Sequence, residues 1–179
     1  MSTWVLLLRG INVGGHHKLP MKDLAALLES AGCDQVRTYI QSGNVVFRAG
    51  IEDPVAFADE ISGRIEDEHG FRPAIQLLTA DALEAAVAAN PYPEAVTEPK
   101  TLHVFFLAST PPAQLVEGTR ELLTATERFK VVGNCLYLHA PDGLARSKFA
   151  ARVNKAFGVS ATSRNWNTVS KLAGLVASA

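Results

Sequence analysis

Apolar residues recur along the chain with two periods, and these predict its strands and helices. Short apolar runs such as Leu102–Leu107 indicate buried strands, and apolar residues three and four positions apart indicate helices. In chain order the pattern predicts strand Trp4–Arg9, a helix from Pro20 to Gly32, strands Gln35–Ile40 and Asn44–Arg48, a helix from Pro54 to Gly70, strand Pro73–Leu78, a short helix capped by Thr79, strand Leu102–Leu107, a helix after Pro111, strands Arg128–Val132 and Cys135–His139, a helix over Leu144–Phe157, a short strand Val159–Ser163 and a last helix burying Val169, Leu172, Ala173 and Val176.

The helix that begins at Pro54 shows how the core is predicted. Asp53 is a favoured N-cap, and Pro54 is a favoured first helical residue. We expect the stripe that faces the core to consist of Val55, Ala58, Ile61 and Ile65.

The order of elements repeats, so that each half of the chain reads β-α-β-β-α-β-α. The pairs Gly43-Asn44 and Gly133-Asn134 stand in the same hairpin of each half. The inner β-α-β-β-α-β order is that of the ferredoxin-like split βαβ unit. The sequence therefore predicts an α+β fold of two ferredoxin-like units in tandem, produced by an internal duplication. The predicted boundaries are residues 1–90 for the first unit, a proline-rich linker over 91–100, and 101–179 for the second unit.

Composition adds a charge asymmetry to this picture. The chain has 179 residues, of which 47% are apolar and 20% charged, as is usual for globular proteins. Its net charge of -1 argues against a protein that is basic everywhere and binds nucleic acid through its whole surface. Residues 1–90 hold 7 basic and 12 acidic side chains, whereas 91–179 hold 10 and 6. No acidic residue follows Asp142, so the net charge does not exclude a local binding site for an anion.

Several classes of protein and site are not supported by the sequence. The N-terminus lacks the pattern of a signal peptide, and no run of 18 apolar residues suggests a membrane span. Cys33 and Cys135 lack the spacing of metal ligands, and we predict small buried side chains at both positions. His16 and His17 are adjacent and are expected to point apart, which argues against a metal site. We expect a cytoplasmic protein without a metal.

One loop is longer than the repeated fold requires. From the first strand to the hairpin glycine the first half uses 39 residues and the second half 31. The excess falls in the segment RGINVGGHHK, residues 9–18, where Arg9, Lys18 and the amides of Gly14 and Gly15 would suit a phosphate or carboxylate. Its spacing is neither that of the dinucleotide fingerprint nor that of Walker A. The alternative is a glycine-rich connector that needs unusual backbone angles.

The hairpin segment TYIQSGN, residues 38–44, concentrates polar groups at a turn. Tyr39, Gln41 and Ser42 can supply hydrogen bonds or offer a stacking face. The alternative is ordinary turn chemistry, because serine, glycine and asparagine are favoured in turns.

The predicted helix over Leu144–Phe157 carries a basic stripe. Lys148, Arg152 and Lys155 are spaced so that they share one helical face. This face either contacts phosphates or is simply solvated.

A second polar motif, RNWN, precedes the last helix. Arg164, Asn165, Trp166 and Asn167 would form an anion-binding or base-stacking corner at a helix N-terminus. Alternatively, Trp166 anchors the core and Asn165 or Asn167 is the N-cap.

The motifs LLLRGINVGGHHKLPMKDLAALLE, RTYIQSGNVVF and TSRNWNTVSKL resemble a widespread bacterial family catalogued as domain of unknown function 1697. The resemblance covers essentially the whole chain and implies a two-part α+β fold of ferredoxin-like units. It implies no activity, substrate, cofactor or catalytic residue. The positions that belong to the family pattern are Arg9, Gly10, Asn12, Gly14, Gly15, Lys18, Tyr39, Ser42, Gly43, Asn44, Lys148, Arg164, Asn165, Trp166 and Asn167.

Two functions are consistent with these patterns. The sequence spacing shows no Ser-His-Asp or Cys-His set, so it does not decide whether the protein is an enzyme. The first is binding of a small anion, a nucleotide or a phosphorylated metabolite, at the glycine-rich loop between the two halves. The expected ligand-binding residues are Arg9, Asn12, Gly14, Gly15, Lys18, Tyr39, Ser42, Asn44, Lys148, Arg164, Asn165 and Trp166. The alternative is an RNA-binding module that uses the basic C-terminal helix, with Tyr39 and Phe47 expected on one face of their hairpin.

Overall fold

The computed structural model describes residues 1–179 and has a mixed α+β fold with two four-stranded antiparallel sheets. Its elements in chain order are β1 (Ser2–Arg9), α1 (Met21–Ser30), β2 (Asp34–Tyr39), β3 (Asn44–Ala49), α2 (Pro54–His69), β4 (Ala74–Thr79), α3 (Ala80–Ala88), a 3-10 helix (Pro93–Thr97), β5 (Leu102–Leu107), α4 (Ala113–Gly118), a 3-10 helix (Arg120–Leu122), β6 (Arg128–Val132), β7 (Cys135–His139), a 3-10 helix (Leu144–Arg146), α5 (Lys148–Phe157), β8 (Ala161–Asn165) and α6 (Trp166–Val176).

The chain divides into two compact units that do not follow the predicted boundaries. The first unit comprises Met1–Ala85 together with Lys171–Ala179, and the second comprises Ala86–Ser170. The C-terminal segment is tied to the first unit at β2, where Arg37 Nη1 donates to Ser178 Oγ over 3.1 Å. The last residues of the chain therefore belong with the first sheet, whereas the sequence placed them in the second unit.

The segment predicted as a linker, residues 91–100, is folded against the second unit. It contains the 3-10 helix Pro93–Thr97, and the side chains of Tyr92 and Ala95 are buried. Arg128 on β6 lies over the Tyr92 ring, 4.5 Å from its centroid, and also pairs with Glu94. The prolines of this segment therefore end α3 and shape a packed turn.

The first sheet has the strand order β2-β3-β1-β4. Its core packs between the sheet and helices α1 and α2, and includes Leu6 and Leu8 of β1 and Phe47 of β3. The opposite face of β1 is also buried, because Val5 and Leu7 expose no surface. A strand buried on both faces explains why β1 is a continuous apolar run in the sequence.

The second sheet has the order β6-β7-β5-β8, with β5 in the central position that β1 holds in the first. Phe105 and Leu138 pack with Phe149 of α5 on one face. On the other face the buried hydroxyl of Tyr137 donates to the carbonyl oxygen of Ala86, over 2.5 Å. This bond fixes the end of α3 to the second sheet.

Helix α2 begins as predicted, but its buried stripe is different. The Asp53 carboxylate accepts hydrogen bonds from the amides of Val55 and Ala56, and Ile61 and Ile65 are buried. Val55 is 80% exposed, so its predicted place in the core is wrong. Phe57 packs against the core instead, stacked on Phe47 with their ring centroids 6.1 Å apart. Val55 lies in the first turn of α2, which the Asp53 side chain caps, and its side chain faces solvent.

The helix predicted over Leu144–Phe157 is divided into two elements. A 3-10 helix ends at Arg146, and the Ser147 hydroxyl accepts the amide of Ala150 over 3.0 Å to cap α5. The Ser147 hydroxyl accepts an amide that, in a continuous helix, would donate to a carbonyl of the preceding turn. A serine at this position therefore favours the start of a new helix. None of the helices combines the length and the apolar character needed to cross a bilayer.

Candidate functional site

The glycine-rich loop after β1 forms a small hairpin of its own. The Asn12 amide donates to the His17 carbonyl and the His16 amide donates to the Val13 carbonyl, both over 3.1 Å. Gly14 and Gly15 lie between them with φ of 58° and 80°. A two-residue turn with positive φ at both central positions strongly favours glycine. The two glycines are therefore required by the turn, and their exposed amides donate to no acceptor in the protein.

The Asn12 side chain joins this loop to the turn between β2 and β3. Its Nδ2 donates to the carbonyl oxygens of Leu19 and Gln41, over 2.9 Å and 2.7 Å, and its Oδ1 accepts the Leu19 amide over 2.9 Å. Both N–H donors of the side chain are thus used within the protein. Asn12 holds two motifs together that are 29 residues apart in the sequence.

The turn itself is organised by Asn44, which is fully buried. Its Nδ2 donates to the Tyr39 carbonyl over 3.0 Å and to the Ser42 hydroxyl over 2.9 Å. The carbonyl of Gly43 accepts the amide of Leu8 over 2.8 Å, which carries the β1–β3 ladder into the turn. The side chains of Asn44 and Ser42 therefore help to build the turn, whereas Tyr39 contributes its backbone carbonyl.

Ile40 is a feature of the turn that the sequence analysis did not single out. It has φ of 48° and is 50% exposed. Left-handed backbone is a genuine outlier for a β-branched residue and costs roughly 1–2 kcal/mol. Residues held in such a conformation cluster at functional sites. No sequence signal could have revealed it, because isoleucine is among the residues least expected in this conformation.

Positive charge collects on the exposed part of the loop. Arg9 and Lys18 are exposed, and no acidic residue occurs before Asp23. His17 is engaged differently: its Nδ1 lies 3.0 Å from the Gly10 carbonyl oxygen, and its ring stacks on Phe71 at 4.7 Å. The loop thus has an anchored base flanked by Arg9 and Lys18, and an exposed tip formed by Gly14 and Gly15.

The RNWN motif lies in the second unit and has a largely structural geometry. Asn165 is the N-cap of α6, because its Oδ1 accepts the amide of Thr168 over 3.0 Å. Trp166 is buried, and its backbone amide donates to the Pro99 carbonyl over 3.1 Å. Burial lowers the pKa of the Arg164 guanidinium to about 10, and this group donates to the Ser163 carbonyl over 2.8 Å.

Lys148 does not accompany Arg164. Arg164 is opposite Val104 in the β5–β8 ladder, on the sheet face away from α5. Lys148 begins α5, which packs through Phe149 on the other face and leaves the lysine exposed. The second sheet lies between the two cations, so they do not line one pocket together.

The histidines and cysteines form no metal centre, since no group of three or more histidine, cysteine, aspartate or glutamate residues is suitably placed. Cys33 and Cys135 are free thiols; Cys33 is buried as predicted, whereas Cys135 is partly exposed. Burial lowers the pKa of His103, against a smaller opposing effect from a hydrogen bond with the Lys100 backbone. Its buried Nε2 has no hydrogen-bond partner. His103 is therefore a neutral core residue near pH 7.

Comparison with known proteins gives a family and a fold. The sequence profile described as "Protein of unknown function (DUF1697)" matches residues 1–137. No curated protein matches the chain significantly. The solved structure of a conserved bacterial protein from Streptococcus pneumoniae is similar over 98% of both chains, with a TM-score of 0.75 and 21% sequence identity. At that identity the likeness concerns the fold alone.

Proposed function

Since the chain belongs to the DUF1697 family of proteins of unknown function, we propose a function from its geometry: it binds a small anion, such as a nucleotide or a phosphorylated metabolite, at the Gly10–Lys18 loop. The observation that carries this proposal is that some residues of the loop fix its conformation while others remain exposed. Asn12 and His17 anchor it, while Lys18 and the amides of Gly14 and Gly15 remain at the surface.

The physical basis is conformational and electrostatic. A loop whose conformation is already fixed by hydrogen bonds loses little conformational entropy when it binds, so its interactions with a ligand contribute more to affinity. The exposed amides offer two donors, and Arg9 and Lys18 favour a negative charge between them. The rest of this half is rich in acidic residues, whereas none precedes Asp23, so the charges near the loop in the sequence favour an anion.

We predict that Lys18→Glu weakens binding of a phosphate compound about tenfold or more, because a cation is replaced by a repelling carboxylate. Titration with AMP and with ribose 5-phosphate, followed by amide NMR, should move the Gly14 and Gly15 resonances of the wild-type protein. Lys130→Glu makes the same change of charge on β6 and should leave the affinity nearly unchanged. If neither compound moves the two glycine resonances, or if both variants lose affinity equally, the loop is not the anion site.

A second candidate, binding of RNA, is favoured by one observation on α5. Lys148, Arg152 and Lys155 are exposed along one side of the helix, and none of them forms an ion pair. The sheets themselves do not suit RNA, because Phe47, Phe105 and Phe106 are buried.

Tyr39 and Phe47 were expected on one face of their hairpin, and this expectation is wrong. The register places Tyr39 opposite Asn44, on the face away from the Phe47 core, since positions 44 and 47 lie on opposite faces of β3. The basic side of α5 therefore stands without an aromatic platform, and its role would be limited to phosphate contacts.

We predict that any RNA binding through α5 depends steeply on salt. Replacing Lys148, Arg152 and Lys155 together by glutamine should reduce the slope of log K against log salt by about 2, as expected for three single-strand phosphate contacts. Fluorescence anisotropy with a mixed single-stranded RNA measures the slope. The triple variant of Lys22, Lys130 and Lys171 to glutamine is the control for net charge. Equal slopes in the two triple variants would exclude α5 as the RNA site.

For the fold we propose that the two sheets descend from one duplicated ferredoxin-like unit. Both have the same succession of elements and the same strand order. A further parallel supports this: the last residue of β5, Leu107, donates to the carbonyl of Asn134 in its hairpin turn, as Leu8 near the end of β1 donates to that of Gly43.

A further inference from the structure

The ring of His17 is held in place although the residue lies at the surface. Its Nδ1 is 3.0 Å from the carbonyl oxygen of Gly10, and the ring stacks on Phe71 with the centroids 4.7 Å apart and the planes 15° from parallel. Its backbone has φ of 50°, a conformation that is uncommon for residues other than glycine. The residue is nevertheless exposed. A histidine that only faces solvent needs none of these constraints.

The neighbouring His16 shows that the constraint is specific to one ring. His16 is exposed as well, but its ring takes part in neither a hydrogen bond nor an aromatic contact. The loop therefore orients the imidazole of His17 and leaves that of His16 without an orienting partner.

The bond to Gly10 determines the tautomer of His17. A carbonyl oxygen can only accept, so Nδ1 carries the proton and donates it. In the neutral ring Nε2 then has an unprotonated lone pair. A hydrogen bond from Nδ1 to a backbone carbonyl is a common way of presenting Nε2 for chemistry. No hydrogen bond within the protein engages Nε2, so its lone pair is available to a reactant.

The ring also lies beside the positive charge of the loop. Gly10, which accepts its hydrogen bond, follows Arg9, and His17 itself precedes Lys18. Both cations are exposed and attract a phosphate group. A phosphorylated compound bound at the loop would therefore meet an oriented imidazole.

We propose that His17 is a phosphoryl acceptor, whose Nε2 takes a phosphoryl group from an acyl phosphate bound at the Gly10–Lys18 loop; this inference rests on the anion site proposed above. Nε2 attacks phosphorus and forms an N–P bond. The bond between phosphorus and the carboxylate oxygen breaks, and the carboxylate leaves with its electron pair. Nδ1 keeps its proton, so the ring becomes an imidazolium and the step needs no separate base. An acyl phosphate is a suitable donor because cleavage of its anhydride bond releases enough free energy to form an N–P bond.

The two contacts of the ring stabilise the charge that this step creates. The hydrogen bond to Gly10 becomes stronger when its donor is cationic, because charge-assisted hydrogen bonds are roughly twice as strong as neutral ones. The face of the Phe71 ring attracts a cation. Both interactions strengthen as the phosphoryl group is transferred, so they favour the transfer itself more than the binding of the donor.

Incubation of the full-length protein with acetyl phosphate, followed by peptide mapping without acid, should find a phosphoryl group on His17. We expect His17 to be labelled about tenfold or more faster than His16. Phosphorus NMR should identify the Nε2 isomer. His17→Asn should abolish this labelling, whereas His16→Asn should leave its rate unchanged. Asparagine tolerates left-handed backbone, so the first variant should keep the loop conformation, which its melting temperature checks.

The outcomes separate this inference from the anion site on which it rests. Equal labelling of His16 and His17, or an Nδ1 isomer, overturns the inference. So does an unlabelled protein whose Gly14 and Gly15 amide resonances still respond to AMP, because it binds the anion without accepting the phosphoryl group. An unlabelled protein whose glycine resonances also fail to respond contradicts the anion site itself. Nitrogen NMR of the imidazole is an independent check: a proton on Nε2 instead of Nδ1 in the neutral ring would overturn the inference as well.

Discussion

Gly43→Ala should destabilise the protein by about 3 kcal/mol or more and lower its melting temperature by about 10 °C. Two effects add. A Cβ at this position would lie 2.5 Å from Cβ of Leu8 and 2.9 Å from Cδ1 of Ile11, both within the core of the first unit. The residue also has φ of 73°, which alanine adopts only with strain. Chemical denaturation monitored by circular dichroism measures the difference in unfolding free energy.

Gly133→Ala is the matched control, because Gly133 is the glycine of the second hairpin. It has φ of 57°, but no atom lies within 4 Å of the position that a Cβ would occupy. This variant should lose only about 1 kcal/mol, the cost of the backbone conformation alone. Similar losses for both variants would mean that the approach of β1 to Gly43 is looser than the structure has it.

Asn12→Ala should cost about 4 kcal/mol and should also impair anion binding. The substitution removes three hydrogen bonds, which contribute about 1 kcal/mol each, and leaves alanine at φ of 53°. Without the bond to Gln41 the loop is no longer held to the turn. We expect faster hydrogen exchange at Leu19, whose amide loses its acceptor, and weaker binding of AMP at the loop.

Asn12→Gly separates the two contributions to this loss. Glycine also removes the three hydrogen bonds but adopts positive φ without strain, so it should be about 1 kcal/mol less destabilising than alanine. Equal stability of wild type and Asn12→Gly in urea denaturation would show that the side-chain bonds are replaced by water at no cost, and that the loop does not depend on them.

Local sequence patterns predicted much of the secondary structure. Strands Leu102–Leu107, Arg128–Val132 and Cys135–His139 have the bounds that apolar runs and a glycine-containing turn gave them. The predictions failed where tertiary packing decides. Val55 fits the helical period as well as Phe57 does, but in the structure Phe57 packs against the core and stacks on the Phe47 ring, whereas Val55 is exposed. The prolines after Asn90 are typical of a linker. The sequence does not reveal that Arg128 stacks on Tyr92 and so packs this segment against β6.

The candidate site was less predictable than the fold. The sequence indicated the glycine-rich loop and the hairpin turn as separate motifs, and their connection rests on a contact between Asn12 and Gln41 that no local spacing reveals. Asn12 and Asn44 were predicted to bind ligand, which stays a prediction, and in the structure their side-chain amides form hydrogen bonds within the protein. The strain at Ile40 was missed because propensities describe what residues usually do, and this position departs from them.

The assignment of residues 171–179 to the first unit has a consequence for synthesis on the ribosome. Domains commonly fold in the order in which they emerge, the N-terminal one first. Here the first sheet can form early, but its unit is completed only after the second unit has been translated, when Arg37 meets Ser178. The nascent chain must therefore keep a first unit that lacks its C-terminal segment soluble while 85 further residues are added. The part of this protein that is synthesised first is thus completed by the segment that is synthesised last.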